Sequence, residues 1–215
     1  MSKEKMIETM ARRVAKEFEN GDLVNLGIGM PTQVSNYIPA GIEVILQSEN
    51  GMLKMGPTPK EGKANPRITN AGGQPSSVLE GGMFFDSAFS FSLIRGGHVD
   101  ITVLGALEVD EQGNLANWII PGKLVPGMGG AMDLVNGVKK VIIMMEHTDK
   151  HGNSKVKKQC SLPLTGIKCV DLLITELGVF CFDNGKMTLI ELQPNVTLDE
   201  LKAKTEATFE NGLRS

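Results

Sequence analysis

A chain of 215 residues with 41% apolar and 22% charged side chains has material for one buried α/β core, and no shift in composition divides it, so a single domain over residues 1–215 is expected. A net charge of −3 offers no basic surface for nucleic acid. Cys160, Cys169 and Cys181 are an odd number without C-x-x-C spacing, which argues against a disulfide frame or a zinc site and for small core residues in a reducing compartment. Charges scattered among the first apolar residues leave no signal-peptide core, and no apolar run reaches membrane-spanning length, so the cytoplasm is expected.

In chain order, Met6, Ile7, Met10, Ala11, Val14, Ala15 and Phe18 recur at three- and four-residue steps and predict an amphipathic helix over 5–19, stopped by Asn20-Gly21. "DLVNLGIGMPT" reads as a buried strand through Leu26, a glycine turn, and a helix over Thr32–Tyr37 with Pro31 in its first turn. "GIEVILQ" gives the next strand, and the strand-helix-strand order predicts a right-handed βαβ unit in a parallel sheet. Glu49 then stands at a strand's carboxyl end, where open α/β sheets collect ligands. A carboxylate there is a turn cap, a ribose ligand or a nucleophile.

Residues 55–83 read as a long irregular excursion rich in Gly, Pro, Asn and Lys. "FFDSAFSFSLIRGGHVD" predicts a helix burying Phe85, Ala88, Phe89, Ser92 and Leu93 and capped at Gly96-Gly97. "VDITVLGALEVDEQGNLANWII" follows as a strand and its return around Gln112-Gly113-Asn114. Gly122, Gly127, Gly129, Gly130 and Gly137 precede the apolar strand "VKKVIIMM" and suggest a backbone cradle. "CVDLLITE" is another buried strand, "VFCFDNGKMTLIEL" a hairpin turning on Asp183-Asn184-Gly185, and "TLDELKAKTEATFE" a terminal helix opened by Thr197 and Glu200.

Gly27-Ile28-Gly29 with Glu49 further on imitates a dinucleotide fingerprint, but Thr32 stands where its third glycine belongs and Pro31 enters the turn. His147, His151 and Cys160 lie in or beyond the polar stretch "HTDKHGNSKVKK", which reads as a solvated loop rather than a metal site; its lysines, Lys150, Lys155, Lys157 and Lys158, read as surface. His98 and Trp118 read as structural: a residue at a helix-to-strand junction and an aromatic anchor in a hairpin.

"NLGIGMPT", "SENG", "NAGG", "FFDSAFSFSLIRGGHVD", "LANWIIPGK" and "GMGGAMDLV", in this order over almost the whole chain, resemble the β subunit of the family I CoA-transferases. The likeness is to bacterial enzymes acting on acetoacetyl-CoA with acetate or butyrate, and to the C-terminal half of the succinyl-CoA:3-ketoacid CoA-transferases. It implies a mainly parallel sheet flanked by helices, of the kind shared with sugar-phosphate isomerases. It also implies Glu49 as the nucleophile that carries CoA as a glutamyl thioester, with Asn25 and the backbone of Gly129 and Gly130 beside the reacting centre. Coenzyme A enters as a substrate, with no resident cofactor and no metal. A separate α subunit, in an αβ or α2β2 assembly, would complete a site at the interface. The family commonly has glycine where Lys54 stands and alanine where Gly178 stands. Two other readings remain: an acyl-CoA hydrolase, and a ligand-sensing domain of the same fold.

Overall fold

Parallel strands buried on both faces need apolar side chains pointing both ways, and this chain divides them between two cores. The computed structural model describes residues 2–123 and 127–213. Its strands are β1 (Leu23–Leu26), β2 (Ile45–Ser48), β3 (Met52–Gly56), β4 (Ser77–Phe84), β5 (Ile101–Leu104), β6 (Glu108–Asp110), β7 (Leu115–Ala116), β8 (Lys140–Met144), β9 (Val156–Lys157), β10 (Leu172–Ile174), β11 (Gly178–Asp183), β12 (Lys186–Leu192) and β13 (Glu210–Asn211). Ten of them form one sheet in the order β13-β12-β11-β10-β8-β5-β1-β2-β3-β4. The central run β10-β8-β5-β1-β2 is parallel throughout. Antiparallel pairs extend it at both sides: β2-β3-β4 and β10-β11-β12.

Alternation along β8 sends Ile142 and Met144 to one core and Val141 and Ile143 to the other. Helix α1 (Lys3–Ala15) covers the first face with Met10, Ala11, Val14 and Ala15, joined by Val34 from a 3-10 segment over Met30–Tyr37. Helices α2 (Ser87–Arg95) and α3 (Ala131–Gly137) cover the other face through Ile94, Leu134 and Val135. No described helix is long and apolar enough to cross a membrane.

Several expectations are corrected. The helix expected over Thr32–Tyr37 is the 3-10 segment, which starts earlier, at Met30. Its tighter winding suits a piece whose Thr32 and Ser35 hydroxyls donate to the carbonyls of Gly29 and Thr32, three residues back. The irregular excursion over 55–83 contains ordered strand at both ends, since β3 runs to Gly56 and β4 begins at Ser77. Gly81-Gly82 disguised β4: a Cβ on Gly82 would lie 2.2 Å from Val78 Cγ2 and 2.9 Å from the Leu53 carbonyl oxygen, so the bare backbone is what lets the hairpin close. Helix α2 is rotated from its expected face. Ser90 and Ile94 are fully buried, while Ala88, Phe89 and Ser92 are exposed. Its end follows expectation in a Schellman pattern, with Gly97 at φ +71° and the His98 N–H donating to the Leu93 carbonyl. The expected return around 112–114 is present as the antiparallel β6-β7 pair, but the strand before it is divided: β5 belongs to the large sheet and β6 to a small sheet with β7 and β9. The terminal helix is shorter than expected, α4 (Leu198–Lys204), but Thr197 caps it by accepting from the Glu200 N–H.

Two turns share one sequence pattern. Asp110 in "DEQGN" accepts from the N–H groups of Gln112 and Asn114, and Asp149 in "DKHGN" accepts likewise from His151 and Asn153. Gly113 and Gly152 take positive φ in each. The hairpin at Asp183-Asn184-Gly185 is the two-residue type, with Asn184 at φ +51° and Gly185 at φ +76°.

Lys54 also has a positive φ, +56°, at the irregularity between Leu53 and Met55 where β3 pairs with β4. Glycine is the residue that accepts this geometry without cost. Lys54→Gly is expected to raise unfolding stability by about 0.5–1 kcal/mol in urea titration; a loss would mean that the bond from Lys54 Nζ to the Glu80 carbonyl outweighs the strained backbone. At Gly178, a Cβ would sit 2.6 Å from Leu201 Cδ1, so here α4 occupies the space an alanine methyl needs.

His147 is not in solvent, contrary to the solvated-loop expectation. It is fully buried, with Nδ1 3.0 Å from Thr175 Oγ1 and Nε2 2.9 Å from Thr205 Oγ1. Both threonine hydroxyls also have a carbonyl in reach, Thr205 that of Leu201 and Thr175 that of Gly178. Burial first, then the charges of Lys204 and Lys155, lower the pKa of His147 from 6.5 to about 4. Between those pH values the unfolded chain binds a proton that the folded chain refuses. The contribution is therefore complete above pH 6.5 and is lost as pH falls toward 4. The whole of it is about 3 kcal/mol. His147→Gln should flatten the acid limb of a plot of unfolding free energy against pH; an unchanged slope would assign that limb to carboxylates.

Candidate active site

The site is built at the carboxyl ends of β1, β2 and β5, where the parallel strands expose their last backbone groups to a crevice. Strand β2 ends at Ser48, and Glu49-Asn50-Gly51 turns the chain into β3, with the Gly51 N–H donating to the Ser48 carbonyl at 3.0 Å. Gly51 has φ +116° and its carbonyl accepts from the Phe85 N–H. Glu49 is thereby left half-buried at the bend, its carboxylate toward β1.

Asn25 is fully buried in β1 and sends both amide hydrogens to defined acceptors: Nδ2 lies 2.7 Å from Gln47 Oε1 and 3.0 Å from Glu49 Oε2. The second is a charge-assisted bond, stronger than one between neutral groups. Gly130, at the start of α3, faces the same carboxylate: a Cβ there would lie 3.7 Å from Glu49 Cγ and 3.1 Å from the Phe91 ring. An added methyl would press on the edge of that ring, so the bare backbone leaves room between the glutamate and Phe91. Gly129 precedes it at φ +50° in open space.

Two loops wall the site. Ser48 Oγ accepts from the Ala71 N–H and Asn50 Nδ2 donates to the Thr69 carbonyl, which tie the "NAGG" loop to the glutamate turn. Ile28, 65% exposed, projects from the "GIG" turn toward Gly72. Gly27 allows that turn to form: its N–H bonds the Val103 carbonyl, and an added Cβ would meet the same oxygen at 3.0 Å.

All the expected residues thus have places. Glu49, Asn25 and Gly130 are brought together, and Gly129 is adjacent along the chain. Five of the six resembling stretches meet here, while "LANWIIPGK" is held by another segment: Asn117 bonds Thr165, and Trp118 Nε1 donates to the Leu164 carbonyl. Part of the cradle expected among the glycines of 122–137 lies outside the described residues, at 124–126. His151 is exposed, and Cys160 is far from reactive because burial, then Asp110 and Glu108, raise its thiol pKa.

Sequence reasoning missed Gln47, Ser90, Phe91 and Thr102. Gln47 and Thr102 stood inside the strands "GIEVILQ" and "VDITVLG" without being singled out, and Ser90 was not among the residues expected on the buried face of its helix. The available signal was that Asn25, Gln47 and Thr102 each interrupt an otherwise apolar parallel strand, where polar groups are costly unless paired.

The sequence pattern of the Coenzyme A transferase family matches residues 7–204. The chain is 59% identical over 200 residues to one subunit of the probable succinyl-CoA:3-ketoacid coenzyme A transferase of Bacillus subtilis, covering 93% of each chain. It is 58% identical over 203 residues to the acetate CoA-transferase subunit beta of Escherichia coli K12, covering 94% of this chain and 93% of that one. Among solved structures, the acyl-CoA transferase YdiF apoenzyme of Escherichia coli O157:H7 shares the fold at a TM-score of 0.77 and 23% identity, over 98% of this chain and 43% of that one. This chain belongs to the coenzyme A transferase family, and it is an enzyme of that type.

Proposed function

We propose that the chain is the catalytic β subunit of a cytoplasmic CoA-transferase. It moves CoA from a short-chain or 3-oxoacyl-CoA, with acetoacetyl-CoA the first choice, to a free acid such as acetate, butyrate or succinate, without a resident cofactor. The observation that carries this reading is Glu49 Oε2 held 3.0 Å from Asn25 Nδ2, with Gly130 on its other side. The relatives named for succinyl-CoA:3-ketoacid and acetate transfer support the choice of acids.

A transferase must exchange CoA between carboxylates without losing the thioester's energy to water, and a carboxylate nucleophile suits that task. Glu49 attacks the acyl-CoA carbonyl and expels CoA thiolate, leaving a mixed anhydride. The thiolate attacks the glutamyl carbonyl, releases the donor acid and forms a glutamyl-CoA thioester. The acceptor carboxylate then attacks this thioester, CoA thiolate leaves, and the second anhydride is opened at the acceptor's carbonyl. Glu49 is regenerated. Each attack puts negative charge on an oxygen; in this reading Asn25 Nδ2, which already bonds Glu49 Oε2, and the backbone N–H groups of Gly129 and Gly130 are the donors to it, and losing one such donor costs about 3 kcal/mol, or about 10²-fold in rate.

The companion is an α subunit, in an αβ or α2β2 assembly. Support comes from the relatives being named as single subunits of their enzymes, and from apolar surface beside the site. Edge strand β4 and the start of α2 expose Leu79, Met83, Phe84 and Phe89, each about half accessible.

The discriminating experiment supplies the assembled enzyme with acetoacetyl-CoA and succinate in 18O-labelled water. Transfer yields succinyl-CoA and unlabelled acetoacetate, because the departing acid's oxygen comes from Glu49 and is replaced by the acceptor's. Label in acetoacetate with free CoA in solution would instead make the protein a hydrolase.

A further inference from the structure

We propose that Gln47, Ser90 and Thr102 are positioning residues that hold the Asn25 amide in place with its N–H, rather than its carbonyl, facing Glu49. The proposal rests on the reading of Glu49 as the nucleophile.

Asn25 is paired with Gln47 of β2 on one side and with Thr102 of β5 on the other, so the three stand on one rung across adjacent parallel strands. Their accessibilities are 0%, 1% and 0%. Val24, Leu26, Ile101 and Val103, along the same strands, are buried and apolar. Packing alone would fill that rung with branched apolar side chains, and polar groups there need a purpose beyond stability.

The hydrogen bonds have a direction. Ser90, fully buried in α2, accepts from Gln47 Nε2 at 2.9 Å, which turns Gln47 Oε1 toward Asn25. Oε1 accepts one Asn25 hydrogen at 2.7 Å, and the other goes to Glu49 Oε2. Thr102 Oγ1 donates to Asn25 Oδ1 across a longer 3.4 Å. If the Asn25 amide turned over, Oδ1 would face the Glu49 carboxylate, which only accepts, so Glu49 sets the direction; Gln47 Oε1, backed by Ser90, takes the other Asn25 hydrogen and Thr102 bonds Oδ1, which together hold the amide in that direction before substrate arrives.

A donor already aimed at Glu49 serves whenever the glutamyl carbonyl is attacked and its oxygen takes negative charge, by CoA thiolate in the first half-reaction and by the acceptor acid in the second. Neither event belongs to substrate binding. Loss of the chain should therefore lower kcat and leave KM alone.

The test uses the assembled enzyme carrying Gln47→Met, Ser90→Ala, Thr102→Val or Thr102→Ser, with turnover expressed per active site titrated by the trapped CoA adduct. Gln47→Met is expected to lower kcat about 10–100-fold with KM for acyl-CoA within about twofold. Ser90→Ala should lose roughly 3–10-fold, because Gln47 is then free to turn. Thr102→Val should lose a few-fold, and Thr102→Ser, which restores the hydroxyl, should recover it. Unchanged kcat in Gln47→Met and Ser90→Ala, or losses confined to KM or to the number of active sites, overturn the proposal. Glu49→Gln is run beside them. Activity remaining there would overturn the nucleophile reading itself, whereas an inactive Glu49→Gln with an unaffected Gln47→Met overturns only the positioning chain.

Discussion

If Glu49 is the nucleophile we propose, Glu49→Gln is expected to abolish CoA transfer in the assembled enzyme, with kcat lower by at least about 10⁴-fold, the scale of losing a covalent nucleophile. The amide has nearly the shape of the carboxylate, and its oxygen can still accept from Asn25 Nδ2, so the site stays in place. What disappears is the charge that, in the proposed mechanism, attacks the acyl carbon. Glu49→Asp keeps the charge but retracts it by one methylene, away from Asn25 and from the space before Gly130. A displacement of about 1 Å costs about 10²-fold when reacting atoms must meet in line, so the aspartate should fall between wild type and the glutamine. Steady-state transfer from acetoacetyl-CoA to succinate measures both. Wild-type turnover in Glu49→Gln would remove the residue from the chemistry.

Gly51→Ala is expected to destabilise the fold by at least about 4 kcal/mol and to lower the melting temperature by about 10 °C or more. Its Cβ would sit 1.9 Å from the Phe85 carbonyl oxygen, and the residue holds φ +116°, outside the range an alanine adopts freely. The clash cannot relax cheaply, because the neighbour is backbone and the Phe85 N–H is itself bonded to the Gly51 carbonyl. Gly73→Ala is the control. It shares a positive φ, +74°, but nothing lies within 4 Å of the added carbon, so it should cost only about 1–2 kcal/mol. Equal melting temperatures for the two variants would refute the close approach at Gly51.

Glycine was the most informative residue in the sequence and also the most misleading. Gly51 marked the end of a strand and Asn184-Gly185 marked a hairpin, each through a left-handed backbone that few other residues accept. At Gly81-Gly82 the same residue concealed a strand, because there it relieves a close contact in β4 rather than turning the chain. Helix α2 was placed correctly and rotated wrongly. Its phenylalanines promised a buried face, but the position beneath it must be Ser90, since Gln47 requires an acceptor there. Periodicity counts apolar residues and has no means of registering a hydrogen bond made from another strand.

The strand order was legible only in part for a similar reason. The βαβ unit of β1 and β2 was predicted from sequence, but β5 also borders β1, so the site's third strand comes from a segment some 75 residues away. Glu49 was noticeable in the sequence because a carboxylate at a strand's end needs a reason. Its proposed role, and Asn25 as its neighbour, came from the family likeness; the register of β1 and β2 adds the contact itself, Asn25 Nδ2 on Glu49 Oε2. Gln47 and Thr102 could not be identified as one rung until that register was known.

The most direct measurement mixes the assembled enzyme with acetoacetyl-CoA in the absence of an acceptor, reduces it with borohydride, and maps its peptides by mass spectrometry. A glutamyl-CoA thioester is reduced to an alcohol, so the account predicts that Glu49 is converted in the peptide that contains it, and that prior addition of succinate prevents the conversion. An unmodified Glu49 in an enzyme that is transferring CoA would contradict it.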